Sequence, residues 1–394
     1  MKLPSHFFAL DGWRGVAAIL VALFHFHAVS TYAQWGIVRG SWLAVDLFFL
    51  LSGFVIAANY RHRLAVGFSV RRFMLLRLGR LYPLHFILLL AFVVTEVLLM
   101  FAGSVVSLSG REFFSGQTAP DGLVTSLLLI QSIGFSEGPV WNAVAWSIST
   151  EFWMYLVYAL AVLGLTRRID ATMATLIAVA LLFLAAQPLL PEWSSRFIDF
   201  ARCVYGFALG TLLHAVYEWV ARRPDRCPGA ALFTLLELAA MLIAVLYVSL
   251  GINAHVHVLA PLAFAPLIII YAFDAGVLSR LLRTPPFLYL GLVSYSIYMV
   301  HPFLQQRVLL PLGLVAERLT GIPLISIAEH AGAPVRAWGF TAWQGNLATV
   351  LMLACLLGCS WLTYHFIEAP GRDWMRQAVG RATRARRPNH AGGP

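Results

Sequence analysis

The sequence predicts an all-α polytopic membrane protein with about ten transmembrane helices and with both termini in the cytoplasm. The first observation behind this prediction is composition, because 60% of the 394 residues are hydrophobic and only 12% are charged. Soluble domains have about 45–50% apolar and about 25% charged residues. A buried core cannot hold so large an excess, so lipid must cover part of the surface. The other two observations are the lengths of the apolar stretches and the placement of the arginines.

Ten stretches are long and apolar enough to cross a bilayer, which takes about 17–25 residues. The stretch 122–134 is shorter and bounded by glycines, and we predict an interfacial or re-entrant segment there. A cleaved signal peptide is the alternative for the N-terminus, but its apolar region would not normally contain Arg14 or His25. The predicted spans are 13–33, 42–58, 81–103, 140–165, 172–190, 199–220, 230–250, 257–273, 287–312 and 346–366.

Basic residues concentrate on one side of this topology. If the N-terminus is cytoplasmic, 20 of the 28 lysines and arginines lie in cytoplasmic segments, and the positive-inside rule favours that orientation. The net charge of +10 is then explained without nucleic acid as a partner. The 20 residues are Lys2, Arg61, Arg63, Arg71, Arg72, Arg77, Arg80, Arg167, Arg168, Arg222, Arg223, Arg226, Arg280, Arg283, Arg372, Arg376, Arg381, Arg384, Arg386 and Arg387.

The chain is expected to form one domain. No repeat or linker divides residues 1–370, which we assign to a membrane core. Residues 371–394 are rich in arginine, glycine and proline, and we predict a basic, disordered cytoplasmic tail that touches lipid. The four cysteines lack the paired spacing of metal ligands, so we expect no metal site.

The stretch LDGWRGVAAILVALFHFH, residues 10–27, carries ionisable groups inside the first span. Such groups cost about 2.5–3.5 kcal/mol each on insertion scales and often mark functional sites. Arg14 and His25 are separated by close to three helical turns, so they share a face and lie about 16 Å apart along the axis. Asp11 lies on the same face. From this stretch alone, a catalytic group and a packing histidine beside an Asp11–Arg14 ion pair are equally good explanations.

The stretch SVRRFMLLRLGRLYPLHF, residues 69–86, places four arginines at the cytoplasmic start of the third span. Gathered guanidinium groups suit a polyanionic ligand such as the phosphates of a nucleotide. The alternative is ordinary positive charge at lipid headgroups. That alternative explains Arg71 and Arg72 well, but it explains Arg77 and Arg80 less well because they lead directly into the span.

Two further stretches place polar side chains on one face of an apolar helix. A carboxylate in such a position needs a partner. Each set could equally provide polar contacts between helices. The residues are Ser147, Glu151 and Tyr155 in 145–158, and Ser294, Tyr298 and His301 in 291–303.

Taken in order, six stretches make the chain resemble the integral-membrane acyltransferase-3 family, whose members O-acylate sugars and other acceptors at bacterial membranes. The resemblance extends over residues 10–370, nearly the whole chain. The stretches are Arg14-x10-His25, DLFFLLSGFVI (46–56), RLGRLYP (77–83), WSISTEFWMY (146–155), SYSIYMVHP (294–302) and YHFIEAP (364–370).

The resemblance implies an O-acyltransferase in the bacterial cytoplasmic (inner) membrane that needs no permanently bound cofactor. Its donor would be cytoplasmic acyl-CoA, acetyl-CoA by default, and its acceptor a carbohydrate or glycoconjugate. His25 would be catalytic, Arg14 required, and Glu151 could orient or pair with either. The donor-binding candidates are Arg71, Arg72, Arg77, Arg80 and Tyr82. The supporting polar residues are Asp11, Asp46, Ser52, Ser147, Ser294, Tyr298 and His301.

The chemistry and the class of protein each have an alternative. A neutral histidine could act as a general base on an acceptor hydroxyl, or it could carry the acyl group itself. A transporter that uses the same polar groups as a proton or anion pathway is the main alternative to an enzyme, and a catalytically inactive partner is the second. Paired halves of related spans, which transporters often have, are not evident in the sequence.

Overall fold

The computed structural model describes residues 6–102, 112–223, 229–250, 258–330 and 333–385. Within these ranges the chain is a bundle of α-helices with one antiparallel hairpin, β1 (Ile325–His330) and β2 (Ala333–Trp338). The helices are α1 Phe8–Phe24, α2 Gly36–Arg39, α3 Ala44–Ala65, α4 Val70–Ala102, α5 Pro120–Leu127, α6 Trp146–Leu165, α7 Ile169–Ala186, α8 Ile198–Ala221, α9 Ala230–Leu250, α10 Ala260–Tyr271, α11 Val277–Leu282, α12 Pro285–Leu292, α13 Ser294–Phe303, α14 Leu310–Thr320, α15 Ala342–Thr363 and α16 Ala369–Ala385.

Each predicted span overlaps one of these apolar helices. By length and composition, five helical segments in the described ranges are able to cross a membrane, and a sixth is added if α12 and the helix after it, bent by 60°, count as one span. One of the five, Ala143–Leu189, contains both α6 and α7, and another, Ala342–Arg381, contains α15 and most of α16. The protein is therefore a multi-pass α-helical membrane protein, and the count of ten spans stays a prediction.

The hairpin is an exception to the all-α prediction, and it changes the end of the first helix. The backbone N–H of Trp338 donates to the carbonyl of His27 at 3.0 Å, and the N–H of Val29 donates to the carbonyl of Trp338 at 2.9 Å. This pairing uses the backbone groups that further helical turns would need. For that reason α1 ends at Phe24 and does not continue to residue 33 as predicted.

The segment 122–134 contains no spanning helix. Helix α5 has eight residues, which is about 12 Å of helix, and a π-helical turn, Gln131–Phe135, follows it. This length is well below the roughly 30 Å of a hydrocarbon core. The result agrees with the interfacial or re-entrant segment that we predicted.

The predicted disorder of the tail was wrong for its first part. Residues 371–385 belong to α16, and residues 386–394 lie outside the described residues. Helix α16 packs along α4 and buries Val379. Packing of one apolar face, rather than intrinsic propensity, supplies most of the stability of such a helix.

Side-chain contacts gather the predicted cytoplasmic segments at one end of the bundle. Arg61, near the end of α3, donates two hydrogen bonds to Asp170 at the start of α7, at 2.8 and 2.7 Å. The ring of Phe7 packs against Tyr217 of α8 at 5.4 Å. The hairpin lies beside the opposite end of α1. We identify the first end with the cytoplasm on the positive-inside argument.

Candidate active site

Arg14 is fixed at the predicted cytoplasmic end of α1 by three neighbours. Its Nη2 lies 3.0 Å from Oδ1 of Asp11 and donates to the carbonyl of Gly291 at 2.8 Å. Its Nε donates to Oγ of Ser294 at 2.9 Å. The structure thus brings together three of the predicted polar residues, Asp11, Arg14 and Ser294.

This arrangement requires α1 and α12 to approach closely. A Cβ atom added at Gly15 would lie 2.6 Å from the backbone nitrogen of Gly291, and one added at Gly291 would collide with the backbone of Asp11. Contact distances this short are available only to glycine. The two glycines therefore allow Arg14 to reach the carbonyl at the end of α12.

His25 caps the other end of α1 and pairs with His301. Its Nδ1 lies 2.9 Å from the carbonyl of Val21 and 3.3 Å from Nε2 of His301. Because a carbonyl can only accept, Nδ1 carries the hydrogen in the neutral ring and Nε2 carries the lone pair. Nδ1 of the fully buried His301 lies 3.2 Å from the carbonyl of Ile297, so by the same argument its Nε2 is the acceptor that faces His25.

Tyr298 joins this pair to α6. Its hydroxyl lies 2.9 Å from Oγ of Ser147 and donates to the carbonyl of Val144 at 3.1 Å. Its ring centroid is 6.0 Å from that of His301. Ser294, Tyr298 and His301, which we predicted to share a face of α13, each contact another residue of the site.

His25 and Tyr298 line a cavity of about 900 Å³, here called the outer pocket. Small-molecule sites typically have about 300–1,000 Å³, so the outer pocket can hold a ligand of that size. Its lining is mainly aromatic and charged. The aromatic residues besides Tyr298 are Phe24, Trp42, Trp146 and Trp193, and the charged residues are Glu137, Glu192, Arg196, Asp199 and Arg202.

Arg202 is a member of the outer pocket that the sequence reasoning missed. It bonds to both oxygens of the buried Asp46, at 2.8 and 3.3 Å. Its guanidinium lies 5.6 Å from the ring of Trp42 and 5.4 Å from that of Trp146. Asp46 is thereby explained as the partner of an intramembrane arginine. The signal was present in the sequence, since an arginine inside a predicted span is as unusual as Arg14.

Glu151 lies in a separate polar cluster between α3 and α6. Its Oε1 accepts hydrogen bonds from Ser52 Oγ at 2.5 Å and from the hydroxyl of Tyr155. Ser52 Oγ also lies 3.0 Å from the hydroxyl of Tyr155. The charge of Glu151 also acts on Arg14, whereas its hydrogen bonds go to Ser52 and Tyr155. Ser52, one of the predicted supporting residues, is thus explained as a hydrogen-bond partner of Glu151.

A second cavity, of about 290 Å³, lies at the predicted cytoplasmic end and is here called the basic pocket. Arg77 donates to the hydroxyl of Tyr60 at 3.0 Å. Arg72, Arg77 and Arg80, three of the predicted donor-binding residues, share this cavity. Its full lining is Tyr60, Arg63, Arg72, Leu76, Arg77, Arg80, Arg372, Arg376 and Val379.

The remaining two donor-binding candidates do not line the basic pocket. Arg71 is exposed. The hydroxyl of Tyr82 donates to the carbonyl of Leu127 at 3.1 Å, and so ties α4 to the end of α5. The basic pocket is instead lined by Arg63, Arg372 and Arg376, which the sequence reasoning did not assign to a site.

The fold and the two pockets define a multi-pass membrane protein with polar and charged side chains clustered inside its helix bundle. Residues 7–365 match the acyltransferase-3 family model, described as an acyltransferase domain. The chain belongs to this family and is an acyltransferase. This result favours the enzyme over the transporter and the inactive partner.

Two of the following three relatives are named for acyl transfer. It is 28% identical over 395 residues to acyltransferase MdmB of Streptomyces mycarofaciens, covering 94% of this chain and 92% of MdmB. It is 33% identical over 190 residues to protein 2 in the picA locus of Rhizobium radiobacter, covering 47% of this chain and 97% of that protein. It is 25% identical over 386 residues, 88% of each chain, to BcsY of Komagataeibacter xylinus, whose name describes a membrane-bound transacylase. No solved structure matches the chain.

Proposed function

We propose that this acyltransferase moves an acyl group, acetyl by default, from cytoplasmic acyl-CoA to a hydroxyl of a carbohydrate or glycoconjugate, in the bacterial inner membrane. The proposal rests on the position of His25 and the orientation of its ring. His25 lines the outer pocket, and its Nδ1 is directed at the carbonyl of Val21. Nε2 is then the basic nitrogen, as a base or nucleophile requires.

His25 can serve in either of two reaction orders. As a general base, Nε2 takes the proton of the acceptor hydroxyl while the oxygen attacks the thioester carbonyl, and CoA leaves as the thiolate that the proton later neutralises. As an acyl carrier, Nε2 attacks the thioester first and CoA leaves as the thiolate. The acceptor hydroxyl then displaces the imidazole, and the proton of that hydroxyl neutralises the thiolate. In both orders one ester bond forms and one thioester bond breaks.

Donor binding at the basic pocket is supported by charge and by distance. Arg72, Arg77 and Arg80 offer guanidinium donors of the kind that bind phosphate. Arg14 and His25 lie about 16 Å apart along α1, which is comparable to an extended pantetheine arm. Arg80 of the basic pocket is close enough to Arg14 for their charges to interact, so a donor held there by its phosphates could extend along α1 toward His25.

Acceptor binding at the outer pocket is supported by its aromatic lining. Trp42, Trp146 and Trp193 offer large ring faces beside charged groups, a combination that suits the apolar faces and hydroxyls of sugars. Trp193 is 62% exposed at the edge of this cavity, so it is placed to meet an incoming acceptor.

The test is release of CoA from acetyl-CoA by the purified protein in nanodiscs, with a panel of sugar extracts as acceptors. We expect His25→Ala to reduce acceptor-dependent release at least 100-fold, because general-base catalysis contributes about 10²–10⁴. The matched control is His62→Ala, which removes an exposed histidine that lines neither pocket. Normal turnover by His25→Ala would exclude His25 as base and as carrier.

A further inference from the structure

Two arginines of the C-terminal helix stand in the basic pocket beside those of α4. We infer that Arg372 and Arg376 of α16 bind the phosphate groups of acyl-CoA, so that the C-terminal helix forms one wall of the donor site. This inference rests on the acyl-CoA donor of the proposed function. It extends that site to a segment that the sequence alone indicated to be a disordered tail.

The packing of α16 on α4 fixes the position of these arginines. A Cβ added at Gly79 would collide with the Met375 side chain, and one added at Gly371 would lie 2.6 Å from Cγ of Pro83. The helices therefore run antiparallel, and each turn forward on α16 matches one turn back on α4. This register places Arg372 level with Tyr82 and Arg376 level with Leu78, so the two arginines lie on either side of Arg80 along α4.

The basic pocket has an excess of positive charge that Asp373 offsets only in part, since its Oδ1 lies 3.6 Å from both Nε of Arg372 and Nη1 of Arg376. Six of its nine lining residues are arginines, and none of the lining residues that the structure describes is acidic. The Nε atoms of Arg72 and Arg77 are buried and have no hydrogen-bond partner there. The guanidinium groups that line the cavity are the donors that oxyanions bind best, so this cavity is suited to an anion that supplies several acceptor oxygens.

The size of the basic pocket indicates which part of the donor it can hold. Its volume of about 290 Å³ is near the lower limit of about 300 Å³ for small-molecule sites, which suits a phosphate cluster and not a whole acyl-CoA. A phosphomonoester carries about −1.5 to −2 charge at neutral pH, and the diphosphate of CoA adds further charge. An anionic lipid headgroup shares this chemistry, so the experiment must separate the two sources of phosphate.

The experiment measures the affinity of the full-length protein for CoA by calorimetry in phosphatidylcholine nanodiscs. We expect the double variant Arg372→Gln/Arg376→Gln to bind CoA at least tenfold more weakly, since hydrogen bonds to charged groups contribute enough for about a tenfold change each. Arg372→Lys/Arg376→Lys should keep most of the affinity because the charges remain. Arg167→Gln/Arg168→Gln removes two exposed arginines outside the basic pocket, and it should bind CoA as the wild type does.

Four results would contradict the inference, each in a different way. Wild-type affinity in the double glutamine variant would remove Arg372 and Arg376 from the site. Equal loss of affinity in the lysine variant, with a lower thermal midpoint, would show a structural role. Weaker CoA binding by the wild type in nanodiscs containing phosphatidylglycerol, relieved in the double glutamine variant, would identify a lipid headgroup as the ligand. Absence of CoA binding by the wild type would overturn the proposed donor itself, independently of α16.

Discussion

At the residue scale, the hydrogen bonding of His25 depends on a partner far away in the sequence. The first helix could be predicted to carry Asp11, Arg14 and His25 on one face from helical geometry alone. That geometry does not reveal which side chain lies opposite. Only the fold shows that His301, on α13, lies 3.3 Å from His25.

We expect His301 to act on His25 as a positioning residue, and two substitutions test this role. We expect His301→Leu to lower kcat by about 10–100-fold, because outer partners of a functional histidine fix its tautomer and ring orientation and are typically worth that factor. His301→Gln should retain much more activity, since its amide oxygen can accept the hydrogen bond that Nε2 of His301 accepts. The measurement is kcat and KM for acetyl-CoA in both variants.

A purely structural role for His301 would give a different pattern. Both variants would then lose activity and thermal stability together, without rescue by glutamine. A rise in KM with unchanged kcat would instead connect His301 with substrate binding and contradict the positioning role.

Arg202 shows why partners are harder to predict than sites. Two features that are separate in the sequence, Asp46 on α3 and Arg202 on α8, form one buried ion pair. Breaking such a pair by removing one partner typically costs about 3–5 kcal/mol. An intramembrane carboxylate therefore indicates that a basic partner exists, but it does not say on which helix.

At the element scale, the centres of the helices were predictable and their ends were not. Apolar length located the long helices of the bundle, whereas the end of α1 is set by backbone pairing with Trp338 on the distant hairpin. Helix α16 was missed for a related reason. Its stability comes from the groove that Gly79 leaves on α4, and the arginine-rich composition of the segment does not reveal that groove.

Close packing of α1 on α12 makes Gly15 sensitive to substitution. We expect Gly15→Ala to destabilise the protein by about 1–3 kcal/mol, as overpacking does, because the added methyl group meets the backbone of α12, which cannot rotate away. Transfer activity should fall with it, since Arg14 bonds to the same segment. The measurement is the thermal midpoint in detergent together with the transfer rate.

Gly164 in α6 provides the matched control. A Cβ added there meets no atom within 4 Å, and alanine is favoured over glycine in helices by up to about 1 kcal/mol. Gly164→Ala should therefore leave stability unchanged or slightly raised. Equal behaviour of the two variants would mean that close approach of α1 and α12 does not determine stability.

At the scale of the whole molecule, contacts indicate how the longest apolar segment crosses the membrane. Arg196 contacts Glu137 beside the outer pocket, so the two flanks of Ala143–Leu189 lie at the same end of the bundle. Asp170, in the middle of that segment, contacts Arg61 at the opposite end. The segment therefore runs from one end of the bundle to the other and back, as the two separate predicted spans 140–165 and 172–190 require.

Reporter fusions can test this path and the orientation together. Fusions that end after Arg168 should give fluorescent green fluorescent protein and inactive alkaline phosphatase, because the predicted topology places that residue in the cytoplasm. Fusions that end after Glu137 or Glu192 should give the reverse. The same signal at residues 137, 168 and 192 would contradict the two spans, and inverted signals at all three would contradict the positive-inside assignment.

The buried face of α1 between Arg14 and His25 has a consequence for the permeability of the membrane. Ala18 and Val21 lie on that face, between Arg14 and His25, and both are buried with at most 1% exposure. Hydrated ions are strongly disfavoured among such side chains, whereas a neutral acyl group is not. In the proposed reaction an acyl group would therefore pass this face of α1 while salts would not, and the electrochemical gradient across the membrane would be preserved.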